Sequence, residues 1–228
     1  MTPEPSPRAP AFYALRPGGW RDYVTLLHAP YTAWHLSYVV VGACLAASVD
    51  WPVLGLTVLA FALAMGVGAH ALDELHGRPL GTSIPTGVLV GLAVASVAGA
   101  AVVGIAVALD RTLWILPLVA LGAAVVPLYN LELLGPVHTD LGFALAWGAF
   151  PVVTAYVAQT GMLRGEALLA ALWATLLSLA QRRLSTPARR LRRSREPVAG
   201  DLEPLEGALR LLTAATIVLA AALVVLRA

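Results

Sequence analysis

Long apolar runs separated by short polar segments dominate the sequence. Roughly 20 apolar residues cross the hydrocarbon core of a bilayer. Seven runs approach that length, namely His35–Val49, Pro52–Leu72, Thr86–Leu109, Thr112–Leu128, Leu141–Ala158, Ala167–Ala180 and Leu205–Leu226. Because a spanning segment must satisfy its own backbone hydrogen bonds, these runs are predicted to be helices. The pattern therefore predicts an all-α fold, a polytopic transmembrane helical bundle of about seven spans.

The residues before the first run have a different character. Met1–Pro10 is proline-rich and lacks the apolar core of a signal peptide. Phe12–Leu27 carries scattered aromatic residues and arginines, a composition that favours an interfacial helix. We therefore expect residues 1–30 to form a cytoplasmic N-terminal segment and residues 31–228 to form the transmembrane domain.

Composition agrees with the membrane class. Hydrophobic residues make up 59% of the 228 positions and charged residues only 12%, with a mean hydropathy of +0.79. A soluble domain carries about twice that charge. The net charge of +2 is too small to favour binding to nucleic acid. The single cysteine, Cys44, excludes an intrachain disulfide and a cysteine-based metal site.

The arginines are distributed unevenly between the two sides of the predicted bundle. Seven of them follow the sixth run: Arg182, Arg183, Arg189, Arg190, Arg192, Arg193 and Arg195. Arg8, Arg16 and Arg21 precede the first run, and Arg78 follows the second. Cytoplasmic loops are enriched in basic residues. We therefore expect a multi-pass protein of the cell (inner) membrane with a cytoplasmic N-terminus and an external C-terminus. The cytoplasmic loops would then be 73–85, 129–140 and 181–204.

The first cluster of candidate chemistry closes the second run. His70, Asp73 and Glu74 are three or four residues apart, which predicts that they share one helix face. Ionisable groups at the edge of a membrane helix are costly and tend to be functional. Such a face could hold a divalent cation or transfer a proton. The alternative is a hydrated helix end with ordinary surface charges.

A second polar cluster lies on the same predicted side. Tyr129–Glu132 is followed by His138 and Asp140 before the fifth run. Glu132 and His138 are candidate substrate-binding residues. The alternative is a loop with a helix cap, which Thr139 or Asp140 would provide.

The third cluster is the basic segment after the sixth run, Gln181–Arg193. Arginine side chains match phosphate oxygens with two hydrogen bonds, and Arg182 and Arg183 come where the run ends. These two are candidate phosphate ligands. The alternative is an anchor that rests on anionic lipid. His35, inside the first run, either lies at the interface or lines an internal cavity.

His70–Pro85 resembles the first signature of the UbiA superfamily of intramembrane prenyltransferases. That signature, N-D-x-x-D-x-x-x-D, closes the second span and is followed by Arg-Pro. Asp73 matches its second aspartate, and Arg78 with Pro79 matches the Arg-Pro. Leu141–Gly161 resembles the fifth span of the family, and Ala29–Ala46 resembles the first. The resemblance covers roughly residues 28–195, in the family's order.

The resemblance implies a UbiA-like fold and a site for Mg²⁺ or another divalent cation that grips a prenyl diphosphate. Asp73 and Glu74 would hold the metal, His70 would assist them in catalysis, and Arg78 would hold phosphate. The metal neutralises the departing diphosphate, and the apolar chamber excludes water. A hydrophobic molecule would accept the prenyl group.

The sequence also departs from the family pattern. Ala69 and His70 replace the opening Asn-Asp, and Gly77 stands at the third carboxylate. Gln181-Arg182-Arg183 replaces the second acidic motif, and the family usually has nine spans. The leading hypothesis is a divergent UbiA-type enzyme that binds an isoprenoid diphosphate and transfers or cyclises the prenyl group. The alternative is a protein that has lost catalysis and binds a lipid or a partner protein.

Overall fold

The computed structural model describes residues 10–135, 138–193 and 199–228, and across these ranges the chain forms helices and turns without a strand. Arg8 and Arg195, used above to predict orientation, lie outside the described residues. In chain order the described helices are α1 (Trp20–Leu26), α2 (Ala29–Cys44), α3 (Trp51–Leu75), α4 (Thr86–Asp110), α5 (Ile115–Asn130), α6 (Asp140–Thr160), α7 (Gly165–Arg193) and α8 (Ala199–Arg227). The all-α prediction is confirmed for the described residues.

Within the described ranges, four helices are long and apolar enough to cross a membrane. They are α3 and α4 with 25 residues each, α6 with 21, and the Leu202–Arg227 part of α8 with 26. Helix α5 is apolar but has only 16 residues. The remaining predicted runs lie in α2, also of 16 residues, and in the first half of α7. The structure thus supports a helical membrane protein.

Helix α2 lies at the centre of the bundle and packs against α6 and α8. A Cβ atom added at Gly42 would lie 2.3 Å from the carbonyl oxygen of Val152, so α2 and α6 touch backbone to backbone there. A Cβ atom added at Gly148 of α6 would likewise lie 2.7 Å from the carbonyl oxygen of Ala174 in α7. Small residues permit such close contact between membrane helices. Helices α3, α4 and α5 pack together beside this core.

Two helices contain π-helical segments. Ala62–Ala69 is π-helical within α3, and Leu145–Ala149 is π-helical within α6. A π-helix bonds residue i to residue i+5, and such segments occur frequently at functional sites. Both segments supply backbone carbonyls to histidines of the site described below.

The predicted interfacial helix is shorter than expected. Only Trp20–Leu26 of the interval Phe12–Leu27 is α-helical. Pro17 fixes its own backbone, and Gly18 and Gly19 adopt positive φ angles of 117° and 60°, which a helix cannot accommodate. Helix α1 is held in place by Asp22, whose Oδ2 accepts hydrogen bonds from the backbone nitrogen and hydroxyl of Ser83 at 2.8 and 2.5 Å.

The basic segment is helical, whereas a loop was expected at 181–204. Helix α7 continues from its apolar first half through the arginine-rich stretch to Arg193, with Pro187 inside it. Arginines three or four positions apart therefore share a helix face. This regular spacing decides which of them reach the site.

Candidate functional site

A polar cavity of about 480 Å³ lies at the end of the bundle where α3 and α5 finish and the arginine-rich half of α7 begins. Its lining includes all five histidines of the chain: His28, His35, His70, His76 and His138. They come from α2, α3 and the segments that flank the helices. No short sequence motif joins them, so only the tertiary structure brings them together.

The cavity collects five of the eight predicted site residues. The five that line it are His70, Asp73, Glu132, His138 and Arg182. The three that do not line it are Glu74, Arg78 and Arg183. Residues of the second and third clusters thus meet the first cluster, as the predicted topology required. The three outside the cavity have other surroundings.

Glu74 is fully buried and bonds the loop that follows α3. Its carboxylate accepts hydrogen bonds from the backbone nitrogens of Leu80 and Thr82, at 3.0 and 2.7 Å, and from the Thr82 hydroxyl at 2.9 Å. Consecutive helical residues point about 100° apart. Asp73 therefore lines the cavity while Glu74 turns away from it, so the shared face predicted for this pair is not formed.

Arg78 has a similar local role. Its guanidinium donates to the carbonyl oxygens of Thr82 and Ile84, at 3.1 and 2.7 Å, and to the hydroxyl of Thr86 at 3.2 Å. These bonds fold the loop between α3 and α4. Arg183 lies on the exposed side of α7. Neither arginine is placed to contact a ligand in the cavity.

Two histidines of the cavity are fixed by π-helical carbonyls. Nδ1 of His35 lies 2.9 Å from the carbonyl oxygen of Trp147, and Nδ1 of His70 lies 3.1 Å from that of Gly66. A carbonyl oxygen only accepts, so each Nδ1 must carry the hydrogen. In the neutral imidazole, Nε2 then has a free lone pair. Both side chains can therefore accept a proton or a hydrogen bond.

His138 and His76 flank one carboxylate. Nδ1 of His138 lies 3.1 Å from the Tyr129 carbonyl oxygen, and its Nε2 lies 3.4 Å from a carboxylate oxygen of Glu132. Nε2 of His76 lies 3.9 Å from the other oxygen of Glu132. Glu132 has a positive φ of 53°, a conformation uncommon outside glycine. This arrangement forms the rim of the cavity at the end of α5.

His28 has the most unusual surroundings. It precedes α2 with a positive φ of 46°, and its Nδ1 lies 2.7 Å from the Tyr13 hydroxyl. Its ring stacks on that of His70, with centroids 4.1 Å apart and planes at 12°. Burial, and then the neighbouring His70 and Arg189, lower the pKa of His28 well below its ordinary value. We call His28 and His70 the stacked pair.

Buried polar atoms without a partner concentrate at the cavity. Among the described residues, His28 Nε2, Tyr129 Oη and Gln181 Oε1 are buried with no hydrogen-bond partner, and all three residues line the cavity. Buried polar atoms in proteins are nearly always hydrogen-bonded. Their concentration in one cavity makes it the candidate site for a polar ligand.

The α7 wall of the cavity presents arginines. The lining residues of α7 recur at helical spacing: Gln181, Arg182, Ser185, Ala188, Arg189 and Arg192. Arg182 Nε lies 2.9 Å from Asp140 Oδ1, and Arg192 binds both carboxylate oxygens of Glu206. Arg189 and Arg192 were not among the predicted site residues. The three- and four-residue spacing from Arg182 would have revealed them if the segment had been read as a helix.

The donor set does not fit Mg²⁺. Within the described ranges no three His, Cys, Asp or Glu side chains converge on a point that a metal could occupy. Mg²⁺ requires oxygen ligands in near-octahedral geometry. Asp73 reaches the cavity without Glu74, and its companions in the lining are mostly histidines and arginines. The divalent cation remains a prediction that this geometry does not favour.

A smaller, apolar cavity of about 80 Å³ lies among α3, α4, α5 and α6. Phe61 and Ala64 of α3 line it, and Met65, next in the chain, lines the polar cavity. Thr154 also lines it, with a buried hydroxyl that has no partner in the described structure. Consecutive residues of α3 thus line the two cavities, and the smaller one has an apolar lining.

Comparison of the chain with family models, curated proteins and solved structures gives no match in any of the three.

Proposed function

We propose that the chain is a divergent UbiA-type membrane enzyme that binds an isoprenoid diphosphate and transfers or cyclises its prenyl group. The observation that carries the proposal is the polar cavity, where the arginine face of α7 stands opposite His70 and Asp73 of α3. Arginine side chains, which suit phosphate, thus line the same cavity as ionisable groups at the end of a helix long enough to span a membrane. The resemblance of His70–Pro85 to the UbiA signature supports the same assignment.

The headgroup would bind at the α7 wall. Arginine forms paired, charge-assisted hydrogen bonds with phosphate oxygens, and these are stronger than bonds between neutral groups. Arg182 and Arg189 are the proposed ligands, with Glu132 and His138 contacting the headgroup at the rim. The prenyl chain would extend from the cavity along α3 into the apolar space beside Phe61 and Ala64.

The reaction would use the side chains in distinct roles. The allylic C–O bond breaks and the diphosphate leaves with the bonding electrons, while the arginines stabilise the charge that develops on it. The electron pair of an acceptor, or of a double bond in the same chain, then attacks the allylic cation. A proton is lost, and the released diphosphate accepts it. A protonated His70 would add its positive charge to that of the arginines, and Asp73 would stabilise this charge.

The binding and turnover assays use purified protein in nanodiscs with geranylgeranyl diphosphate. We expect binding and, with a panel of aromatic and lipid acceptors, release of inorganic diphosphate. Asp73→Asn should retain much of the binding and lose the release. Absence of binding in every condition would contradict the proposal.

A second candidate is a binding protein without catalysis. The observation that favours it is that Glu74 and Arg78, both within the signature-like segment, are engaged in loop hydrogen bonds outside the cavity. Such a protein would hold a lipid headgroup in the cavity or present it to a partner protein. Binding of geranylgeranyl diphosphate without diphosphate release, across the whole acceptor panel, would support this candidate over the enzyme.

We also propose the UbiA-like arrangement with seven spans and a cytoplasmic N-terminus. Helices α2, α5 and the first half of α7 would join the four longer helices as spans, and the basic part of α7 would rest on anionic lipid. A reporter fused after Ala228 should be external, and one inserted between α7 and α8 should be cytoplasmic. Two reporters on the same side would show that α8 does not span the membrane and would exclude the seven-span count.

A further inference from the structure

The formal charges of the described residues that line the polar cavity cancel. These residues are three carboxylates, Asp73, Glu132 and Glu206, and three arginines, Arg182, Arg189 and Arg192. With the five histidines neutral, three positive and three negative charges sum to zero. Even a single phosphate ester carries about −1.5 to −2 charge at neutral pH, and a diphosphate carries at least as much. A bound diphosphate therefore needs positive charge beyond that of the neutral-histidine cavity.

A divalent cation is one source of that charge, but the carboxylates are poorly arranged to hold it. Glu206 is bound by Arg192 through both of its oxygens. Glu132 lies between His76 and His138 at the rim. Glu74 faces the loop, and among the described residues no group of three His, Cys, Asp or Glu side chains forms around Asp73.

Protons are the other source, and the stacked pair is placed to accept one. The hydrogen bond to Gly66 keeps a hydrogen on Nδ1 of His70, so a second proton would go to Nε2. That atom has no hydrogen-bond partner among the described residues. A protonated His70 would lie face to face with the neutral ring of His28, and an aromatic face attracts a cation.

The surroundings of the stacked pair determine when it is protonated. The titratable and charged groups around it come from every neighbouring element: Tyr13 of the N-terminal segment, Tyr31 and His35 of α2, Asp73 of α3 and Arg189 of α7. Burial, and then the charge of Arg189, oppose protonation of His28. Both rings of the stacked pair line the cavity, so an anion that enters it favours a positive charge on the pair. Binding of the anion and protonation of the pair should then reinforce each other.

We propose that the cavity binds its diphosphate headgroup without a divalent metal, and that the stacked pair takes up a proton when the headgroup binds. The inference rests on the proposed function for the identity of the ligand. It differs from the expectation of a metal-held diphosphate, because the balancing charge comes from the arginines of α7 and from an imidazolium.

The test is calorimetric titration of wild-type protein in nanodiscs with geranylgeranyl diphosphate at pH 7. Titrations in EDTA and in Mg²⁺ should give affinities within about threefold of each other. Titrations in EDTA with two buffers of different ionisation enthalpy should show uptake of roughly one proton per ligand bound. These measurements need no variant, so a folding defect cannot obscure them.

Variants identify the residue that takes up the proton when the ligand binds. His70→Gln should reduce the uptake to near zero and weaken binding about tenfold at pH 6, with a smaller loss at pH 8. Arg190→Gln is a control on the exposed side of α7 and should leave both quantities unchanged. Binding that EDTA abolishes and Mg²⁺ restores would overturn the inference and leave the proposed function intact. Metal-independent binding without proton uptake would also overturn it, and no binding in any condition would remove both.

Discussion

Polar groups are paired at one end of the helical bundle and partly unpaired at the other. At the end away from the polar cavity, Asp50, Arg111 and Gln159 bind one another, and we call this the paired end. Arg111 lies 3.1 Å from the Asp50 carboxylate, and the Gln159 side chain exchanges two hydrogen bonds with the Asp50 backbone at 2.8 and 3.1 Å. At the cavity end, buried polar atoms of His28, Tyr129 and Gln181 lack described partners.

Backbone conformation differs between the two ends as well. His28, Arg78 and Glu132 are the non-glycine residues with positive φ in the described structure, and all three belong to the cavity end. Two of them, His28 and Glu132, line the cavity itself. Strained conformations persist where the surroundings hold them, and they cluster at functional sites. At the paired end the polar side chains stabilise the fold by binding one another. At the cavity end, strained residues and polar atoms without described partners are available to contact a ligand.

The largest expected effect concerns ligand binding at the cavity end. Arg182→Ala combined with Arg189→Ala should weaken binding of geranylgeranyl diphosphate by on the order of 2–4 kcal/mol, because charge-assisted contacts are lost from a poorly hydrated site. Arg183→Ala combined with Arg190→Ala is the matched control on the exposed side of α7, and it should change binding by less than about 0.5 kcal/mol. Calorimetry in nanodiscs measures both. If both double variants lost the same amount of affinity, the arginines that line the cavity would not differ from the exposed ones in ligand binding.

The next effect separates two neighbouring carboxylates. Glu74→Gln should lower the free energy of unfolding by about 2 kcal/mol, because a buried carboxylate loses charge-assisted hydrogen bonds from the loop after α3. Asp73→Asn should change stability by less than about 1 kcal/mol, since its side chain faces the cavity. Thermal unfolding of the detergent-solubilised variants compares them. If Asp73→Asn were the more destabilising change, the structural role assigned to Glu74 would belong to Asp73 instead.

The smallest effect is expected at the paired end. Arg111→Ala removes an ion pair whose side chains are both 34% exposed, and such pairs contribute about 0–1 kcal/mol. The melting temperature should fall only slightly. Binding of geranylgeranyl diphosphate should stay the same, since these residues do not line the polar cavity. A change in affinity comparable to that of the α7 double variant would show that the two ends are coupled.

The apolar pattern was sufficient to predict the class of fold. Membrane helices can be identified in a sequence by their length and hydropathy. The helices that meet both criteria in the structure are α3, α4, α6 and α8. The pattern failed for Gln181–Arg193, where the end of the sixth apolar run and the topology predicted a loop. Packing against α8 and the pairing of Arg192 with Glu206 support the helix in that segment. These tertiary interactions leave no signal in local composition.

The site was predictable where polar residues stand at the ends of apolar runs, and five predicted residues line the cavity. His70 and Asp73 were identified from their positions at the end of an apolar run, and both line the cavity. Glu74 was grouped with them because spacing alone does not show which way a third neighbour points. Tyr13 and His28 were missed because their importance depends on a stacked ring from another element.

The π-helical segment of α3 has a consequence for how the chain tolerates insertions and deletions. Bonding from i to i+5 accommodates about one residue per turn more than an α-helix does. Removal of one residue from Ala62–Ala69 would allow this segment to return to α-helical bonding, and the residues after it would keep nearly the same orientation. The same deletion in an α-helical part of α3 would rotate the residues after it by about 100°. The π-helical segment is therefore the part of α3 in which the loss of one residue would leave His70 and Asp73 facing the cavity.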